Sequence, residues 1–68
     1  MKLIVSGKQK EYPEGLTVEQ LIRAEEVETP LYVTVAVNDA FVSTQDRESW
    51  QLRDGDTVEF LYFMGGGG

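Results

Sequence analysis

The 68-residue sequence predicts an α+β fold in which a mixed sheet of four to five strands is covered by one helix. Two observations support this fold class. Short apolar runs with strand-like alternation occur near both ends and in the middle of the chain, and a single stretch has helical spacing. With 41% hydrophobic residues the chain can form a core, but its length limits it to one domain.

The first two segments predict a β-hairpin. Residues 2–7 (KLIVSG) form a short apolar run that ends in Ser6-Gly7, and residues 8–12 form a polar second arm. A Ser-Gly pair between two short runs is typical of a hairpin turn. The sequence Pro-Glu-Gly then ends the second arm.

One helix is predicted to begin at the sequence TVEQ. The Thr17 hydroxyl and the Gln20 side chain have the spacing of a capping box, in which each accepts a hydrogen bond from the other residue's backbone amide. We expect the helix to end near Val27, because Pro30 disfavours helical backbone just before it. Three residues form its apolar stripe: Val18, Leu21 and Ile22.

Three more strands are predicted after the helix. Residues 32–38 (YVTVAVN) place alternate valines on one face, and a turn leads to a short returning strand at residues 41–43. Asp-Gly supplies the positive φ of a tight turn at residues 53–56, and the last strand follows at residues 57–63 (TVEFLYF). Two further residues are expected to close the core, Trp50 and Leu52.

The resulting order, β-β-α-β-β-β, matches a β-grasp. We expect the last strand to lie beside the first in the sheet centre. Residues 1–64 are then the β-grasp domain, and residues 65–68 are a flexible glycine tail.

An exposed apolar patch is predicted on the sheet face that the helix does not cover. Glu59 marks this face in the last strand, so Leu61 and Phe63 share it, and Met64 follows. The other set, Val58, Phe60 and Tyr62, is assigned to the core. In the first strand Leu3 and Val5 match the core, which leaves Ile4 outward. Isolated exposed apolar residues are common, but a cluster favours a partner-binding patch: Ile4, Leu61, Phe63 and Met64.

Charge and composition exclude several functions. The net charge of −6 argues against nucleic acid and anionic membranes as partners, and suits a basic surface on another protein. Without cysteine or histidine there are no disulfides, usual zinc sites or Cys/His and Ser/His/Asp catalytic groups. We expect a cytoplasmic protein that is not an enzyme, because no run suggests a membrane span or signal peptide and the chain has little room for a substrate pocket.

The remaining charged residues have structural interpretations. Asp54 and Asp56 are interpreted as turn formers, since two carboxylates are too few for a calcium site. The acidic residues at the predicted helix end are interpreted as a solvated face, with contact to a basic enzyme surface as the alternative: Glu25, Glu26 and Glu28. Three lysines are interpreted as solubilising edge residues: Lys2, Lys8 and Lys10.

The run of four glycines after the last strand allows three interpretations. It is a linker remnant, a frayed end, or a probe that enters another protein's active site. Four glycines extend to at most about 13–14 Å and fit a narrow channel, because they lack side chains. They also carry a terminal carboxylate at Gly68, which becomes an acyl donor once it is adenylated.

Several motifs give the chain a resemblance to a known family. They are VAVND (residues 35–39), Trp50, LRDGDTVEFL (residues 52–61) and the closing Gly-Gly. Over essentially its whole length the chain resembles the ThiS/MoaD family of ubiquitin-like sulfur carriers. Its size and its ending, YFMGGGG, are closer to ThiS than to MoaD, whose chains have a proline-containing run before Gly-Gly.

The resemblance implies a specific function for the tail. Gly68 would be adenylated with ATP by an E1-like adenylyltransferase of the ThiF/MoeB type, and then converted to a thiocarboxylate. The sulfur would come from a donor such as a cysteine desulfurase and pass to a thiazole synthase of the ThiG type in thiamine biosynthesis. No cofactor would be bound, because catalysis and ATP use belong to the partners. Gly65, Gly66 and Gly67 would thread the partner's active site.

One alternative for the acceptor residue and two alternative functions stay open. Two or three glycines are more usual in the family, so the acceptor is Gly67 or Gly66 if part of the tail is appended. A MoaD-like carrier would feed molybdopterin or another sulfur-containing product. A non-carrier ubiquitin-like binding module would leave the glycines inert.

Overall fold

The computed structural model describes residues 1–27 and 32–62. Its elements follow the predicted order, with one added 3-10 helix: β1 (Lys2–Val5), β2 (Lys8–Glu11), α1 (Val18–Ala24), β3 (Val33–Val37), β4 (Ala40–Val42), a 3-10 helix (Thr44–Asp46) and β5 (Thr57–Tyr62). Within the described ranges, no helix has the length and apolar character needed to cross a membrane.

The five strands form one mixed sheet in the order β2-β1-β5-β3-β4. The last strand, β5, lies in the centre, parallel to β1 and antiparallel to β3. The two flanking pairs, β1 with β2 and β3 with β4, are antiparallel hairpins. This topology confirms the predicted β-grasp and the pairing of the first and last strands.

Both hairpins turn through two residues with left-handed backbone. Ser6 and Gly7 have φ of 50° and 81°, and Asn38 and Asp39 have φ of 51° and 70°. Positive φ at both central residues gives the turn a twist that matches the twist of the strands. The short loops therefore hold β2 and β4 in register on the two edges of the sheet.

The helix begins as predicted but ends earlier. The Gln20 amide donates to Thr17 Oγ1 at 3.2 Å, and the Thr17 amide donates to Gln20 Oε1 at 3.0 Å, which completes the capping box. At the other end Glu26 has a φ of 53° and its amide bonds back to the Arg23 carbonyl, so the chain leaves the helix after Ala24. The predicted end near Val27 was three residues too late.

The core lies between α1 and one face of the sheet. It contains the three predicted helix residues and alternate residues of the strands: Leu3, Val5, Val18, Leu21, Ile22, Val33, Val35, Val37, Val42, Leu52 and Val58. Trp50 is half-buried and packs against this cluster, as expected. The polar stretch after β4 also contributes one buried residue, Arg47, which the sequence did not suggest. Arg47 Nη2 donates a hydrogen bond to the Val33 carbonyl.

The assignment of Tyr62 to the core was wrong. Tyr62 pairs with Val33 and so lies on the helix side of the sheet, yet half of its surface is exposed. The seven residues of α1 extend only about 10 Å, whereas the six residues of β5 extend about 20 Å. The helix is therefore too short to cover the end of β5.

Candidate functional site

The central strand of the sheet, β5, is the last described element before the predicted tail. β5 ends at Tyr62; β1 pairs with it only at Thr57 and Val58, whereas β3 pairs with it as far as Tyr62. Phe63, Met64 and the glycine tail lie outside the described residues, so their predicted roles stay predictions. The described part of the candidate site is therefore the sheet from which this segment continues.

Ile4 and Leu61 share the sheet face that points away from α1, which we call the open face. Ile4 pairs with Thr57 at the start of β5, whereas Leu61 pairs with Thr34 near its end. Ile4 is 41% exposed and Leu61 is half-buried. Four residues along β5 correspond to about 13 Å, so these two predicted patch residues do not contact each other.

A third large apolar residue lies on the open face and was missed in the sequence. Phe41 in β4 pairs with Ala36 in β3, and Ala36 also pairs with Glu59 in β5. Phe41 is 69% exposed. The alternation along this strand could have identified Phe41. The next residue, Val42, belongs to the core, and successive strand residues face opposite sides of the sheet.

The two aspartates of the RDGD turn fasten the start of β5, which confirms their structural interpretation. Asp54 Oδ1 accepts from the Lys2 amide at 2.6 Å, which ties the turn to β1. Asp56 Oδ1 accepts from Asn38 Nδ2 at 2.9 Å, and Asn38 Oδ1 accepts from the Thr57 amide at 3.0 Å. The described part of the chain holds no group of three carboxylate, histidine or cysteine side chains arranged for a metal.

The sequence suggested that Glu25 belongs to a solvated acidic face, and this interpretation was wrong. Its carboxylate accepts hydrogen bonds from Lys10 Nζ at 2.7 Å and from the Tyr12 hydroxyl. Only 13% of the Glu25 side chain is exposed. Lys10 is therefore more than a solubilising edge residue, because its ion pair links β2 to the end of α1.

Lys10, Tyr12 and Glu25 form a hydrogen-bonded cluster. Its two acidic side chains, Glu25 and Tyr12, have shifted pKa values. Burial raises the pKa of Glu25, but the hydrogen bonds from Lys10 and Tyr12 and the Lys10 charge outweigh it, so the net pKa is lowered from 4.5. Burial, together with the hydrogen bond to the Glu25 carboxylate and its charge, raises the pKa of Tyr12 to about 12. The folded state thus favours ionised Glu25 and neutral Tyr12.

Glu25 is expected to make the stability of the fold sensitive to acid. A carboxyl whose pKa is lowered on folding stabilises the protein above its unfolded pKa, and this contribution is lost as the pH falls through the lower folded pKa. In Glu25→Gln the free energy of unfolding should therefore fall less between about pH 6 and about pH 3 than in the native chain. Urea unfolding at each pH measures this difference.

Glu26→Gln is the matched control, since Glu26 is the adjacent residue and is exposed. We expect its pH dependence to follow that of the native chain. Parallel curves for the native chain and Glu25→Gln would show that the cluster does not couple folding to protonation.

Comparison with known proteins places this architecture in a family. A model described as the ThiS family matches residues 3–67. The crystal structure of a thiamine biosynthesis protein (ThiS) from Geobacter metallireducens is 41% identical, with a TM-score of 0.89 over 97% of this chain and 99% of that chain.

An NMR solution structure of a thiamine biosynthesis protein from Geobacter metallireducens is also 41% identical. It has a TM-score of 0.79, over 100% of this chain and 90% of that one. No curated protein matches the chain. Since the family model spans nearly the whole sequence and the same fold recurs at this identity, the chain belongs to the ThiS family.

Proposed function

We propose that the chain is a sulfur carrier for thiazole formation in thiamine biosynthesis. The observation that carries this proposal is the family match, which runs from β1 into the glycine tail as far as Gly67. The structural neighbours that are thiamine biosynthesis proteins support the same pathway. The match includes Gly65, Gly66 and Gly67, which supports a role for the glycine tail in this function.

The proposed reaction uses only the carboxylate of the terminal glycine. One carboxylate oxygen of Gly68 attacks the α-phosphate of ATP, which releases pyrophosphate and forms an acyl adenylate. The outer sulfur of a persulfide on a sulfur donor, such as a cysteine desulfurase, then attacks the carbonyl carbon, and AMP leaves with the former carboxylate oxygen. The product is an acyl disulfide between the chain and the donor. A dithiol reductant then cleaves the S–S bond and is oxidised to a disulfide, so that the donor thiol is released and a thiocarboxylate remains.

The partner enzymes supply the catalytic groups in this scheme. The chain has no cysteine or histidine, and in this scheme ATP and the sulfur donor bind to the partner enzymes. An E1-like adenylyltransferase of the ThiF/MoeB type activates the carboxylate, and a thiazole synthase of the ThiG type receives the sulfur. We place these steps in the cytoplasm, where ATP is available, and propose no cofactor bound to the chain itself.

The chain's own contribution is to position and deliver the tail. β5 pairs with β1 at its start and with β3 from Val58 to Tyr62, so the segment that follows it starts from a strand end that β3 holds. The glycines have no side chains to obstruct a narrow channel, and they tolerate the backbone angles such a channel imposes. A rigid base and an unobstructed tail are what a probe of a buried active site requires.

Intact mass spectrometry tests the proposal. The full chain is incubated with the E1-like enzyme, ATP and a sulfur donor, and its mass should rise by the difference between sulfur and oxygen. Omission of ATP is the control and should leave the mass unchanged. An unchanged mass under conditions in which the enzyme activates its own authentic carrier would contradict the function.

Transfer to the product distinguishes the thiazole pathway from a MoaD-like carrier. The thiocarboxylated chain is mixed separately with thiazole synthase and with molybdopterin synthase components. Loss of sulfur to the thiazole synthase alone is the expected result. Loss to the molybdopterin components alone would reassign the chain to the other branch.

A further inference from the structure

Arg47 is the one charged side chain that is buried among residues 1–27 and 32–62, with 4% of its surface exposed. It directly follows the 3-10 helix, in a stretch with the composition of an exposed loop. Burial of a guanidinium is costly unless hydrogen bonds compensate it. The hydrogen bond from Arg47 Nη2 to the Val33 carbonyl therefore points to a specific role for this side chain.

The Val33 carbonyl lies on the side of β3 that faces away from β5. The Asn38 amide donates to the Thr57 carbonyl at 2.8 Å, and these two residues continue the register of β3 with β5. Backbone groups of successive residues in a strand point to alternate sides. The even-numbered residues of β3 therefore bond to β5, and the odd-numbered ones, including Val33, point toward β4.

The strand β4 is too short to reach this carbonyl. Val42 at its end pairs with Val35, so the next pair outward would join Thr44 to Val33. Thr44 instead begins the 3-10 helix, and the ladder ends at Val42. The Arg47 guanidinium thus occupies the position beside β3 that a longer β4 would fill.

The main chain of Arg47 is itself anchored to the helix. The Arg47 carbonyl accepts a hydrogen bond from the Glu19 amide in the first turn of α1, at 2.9 Å. One residue therefore connects α1 to the start of β3.

The start of β3 holds the end of β5. Val33 pairs with Tyr62, the last described residue before the tail, and Thr34 pairs with Leu61. In the part of the chain that the structure describes, β1 pairs only with the first two residues of β5. The strand end that leads to the tail therefore depends on β3, and Arg47 holds β3 there from its outer side.

We propose that Arg47 is a positioning residue for activation of the tail, because it fixes the start of β3 and, through β3, the end of β5. When the tail lies in a partner's active site, the place of its carboxylate depends on where β5 ends. A loosened strand end spreads the carboxylate over more positions and lowers the fraction that is placed to attack ATP. The inference rests on the proposed function for the reaction that is affected.

A simpler interpretation is that Arg47 only adds to the overall stability of the domain. Loss of its donor would leave the buried Val33 carbonyl unsatisfied, which is unfavourable. In that case all elements would open more readily together, whereas a positioning role predicts that the end of β5 opens selectively.

Hydrogen exchange of the full chain separates these interpretations without a partner. The variant is Arg47→Met, which keeps an unbranched apolar stem and removes the donors. The Leu61 amide, which the register directs toward Thr34, should exchange about tenfold faster relative to the Glu59 amide than in the native chain. Equal acceleration of both amides, or none, would overturn the proposal.

Activation is measured as pyrophosphate release from ATP by the E1-like enzyme, before any sulfur donor is added. Arg47→Met should lower the rate at saturating chain about tenfold. The KM for the chain should change less than about threefold, because Arg47 is buried and offers little surface to a partner. An unchanged rate at saturation would also overturn the proposal.

Two further variants complete the experiment. Arg53→Met is the matched control, because it removes an exposed arginine near the start of β5, and both measurements should stay within about twofold of the native chain. Arg47→Lys keeps a cationic donor and should lie between the native chain and Arg47→Met. It replaces Arg47→Met if that variant does not fold. Failure of both to fold would assign Arg47 to overall stability and reject the positioning role.

The outcomes separate this inference from the proposed function. If the native chain supports no pyrophosphate release, the proposed function is wrong and the role of Arg47 in activation is rejected with it. If the native chain is activated and Arg47→Met matches it in rate and in Leu61 exchange, the positioning role alone is rejected.

Discussion

Removal of Gly67 and Gly68 is expected to abolish sulfur loading while the domain stays folded. Two glycines span about 7 Å, so the shortened chain would hold its terminal carboxylate that far from the point where ATP is attacked. Displacement of a reacting group by even about 1 Å can reduce a rate about 100-fold. We therefore expect no detectable rise in the intact mass of the shortened chain under conditions that load the full chain.

A deletion series makes this experiment sharper. Chains that lack one, two or four glycines are compared for the mass increase, and each is also tested for binding to the activating enzyme without ATP. If the open face provides most of the affinity, binding should persist across the series while loading is lost. The length at which loading disappears identifies the acceptor, because loss at the first deletion assigns it to Gly68.

Full loading after the loss of two glycines would contradict Gly68 as the acceptor. In that case the functional end of the tail is Gly66, the alternative that the four-glycine run left open. Loss of binding together with loading would show instead that the tail itself anchors the complex.

The fold was largely predictable because its determinants are local in the sequence. The capping box at Thr17 and the alternating valines of β3 act through near neighbours, so composition and spacing reveal them. The turns at Ser6-Gly7 and Asp54-Gly55 also depend on residue types at adjacent positions. These signals separate the elements, and the β-grasp arrangement follows from their order.

Features that depend on tertiary contacts were missed or wrong. The hydrogen bonds of Glu25 join it to Lys10 and Tyr12, which are 15 and 13 residues away in the chain, so no spacing rule identifies them. Arg47 is buried within a polar stretch because the Val33 carbonyl accepts its hydrogen bond. Tyr62 has the correct parity for the core, but α1 is too short to cover it.

The part of the candidate site on the open face was also only partly predictable from the sequence. The alternation in β5 places Leu61 and Glu59 on that face, and both predictions agree with the register. The spacing of Ile4 from Leu61, however, depends on how β1 and β5 align. That parallel register is set by the turn that precedes β5, where Asp54 accepts the hydrogen bond from the Lys2 amide. The alternation of apolar residues in β1 and β5 does not predict this register.

Leu3→Ala is expected to remove most of the stability of the domain. Leu3 is completely buried and is among the largest buried side chains of the core. Truncation of a buried leucine to alanine costs about 2–5 kcal/mol, through lost transfer free energy and the cavity that remains. A domain of this size has a free energy of unfolding of only about 3–5 kcal/mol. A large fraction of the variant should therefore be unfolded in water at 25 °C.

Ile4→Ala provides a matched control on the next residue of the same strand. Ile4 is 41% exposed and points to the open face, so its truncation should cost about 1 kcal/mol or less. Trp50 is the single tryptophan and packs against the core, so its fluorescence reports unfolding in urea. Leu3→Ala should begin unfolded or have a much lower midpoint, whereas Ile4→Ala should stay close to the native chain. Equal midpoints for the two variants would contradict the assignment of opposite faces to adjacent residues of β1, and with it the orientation of the open face.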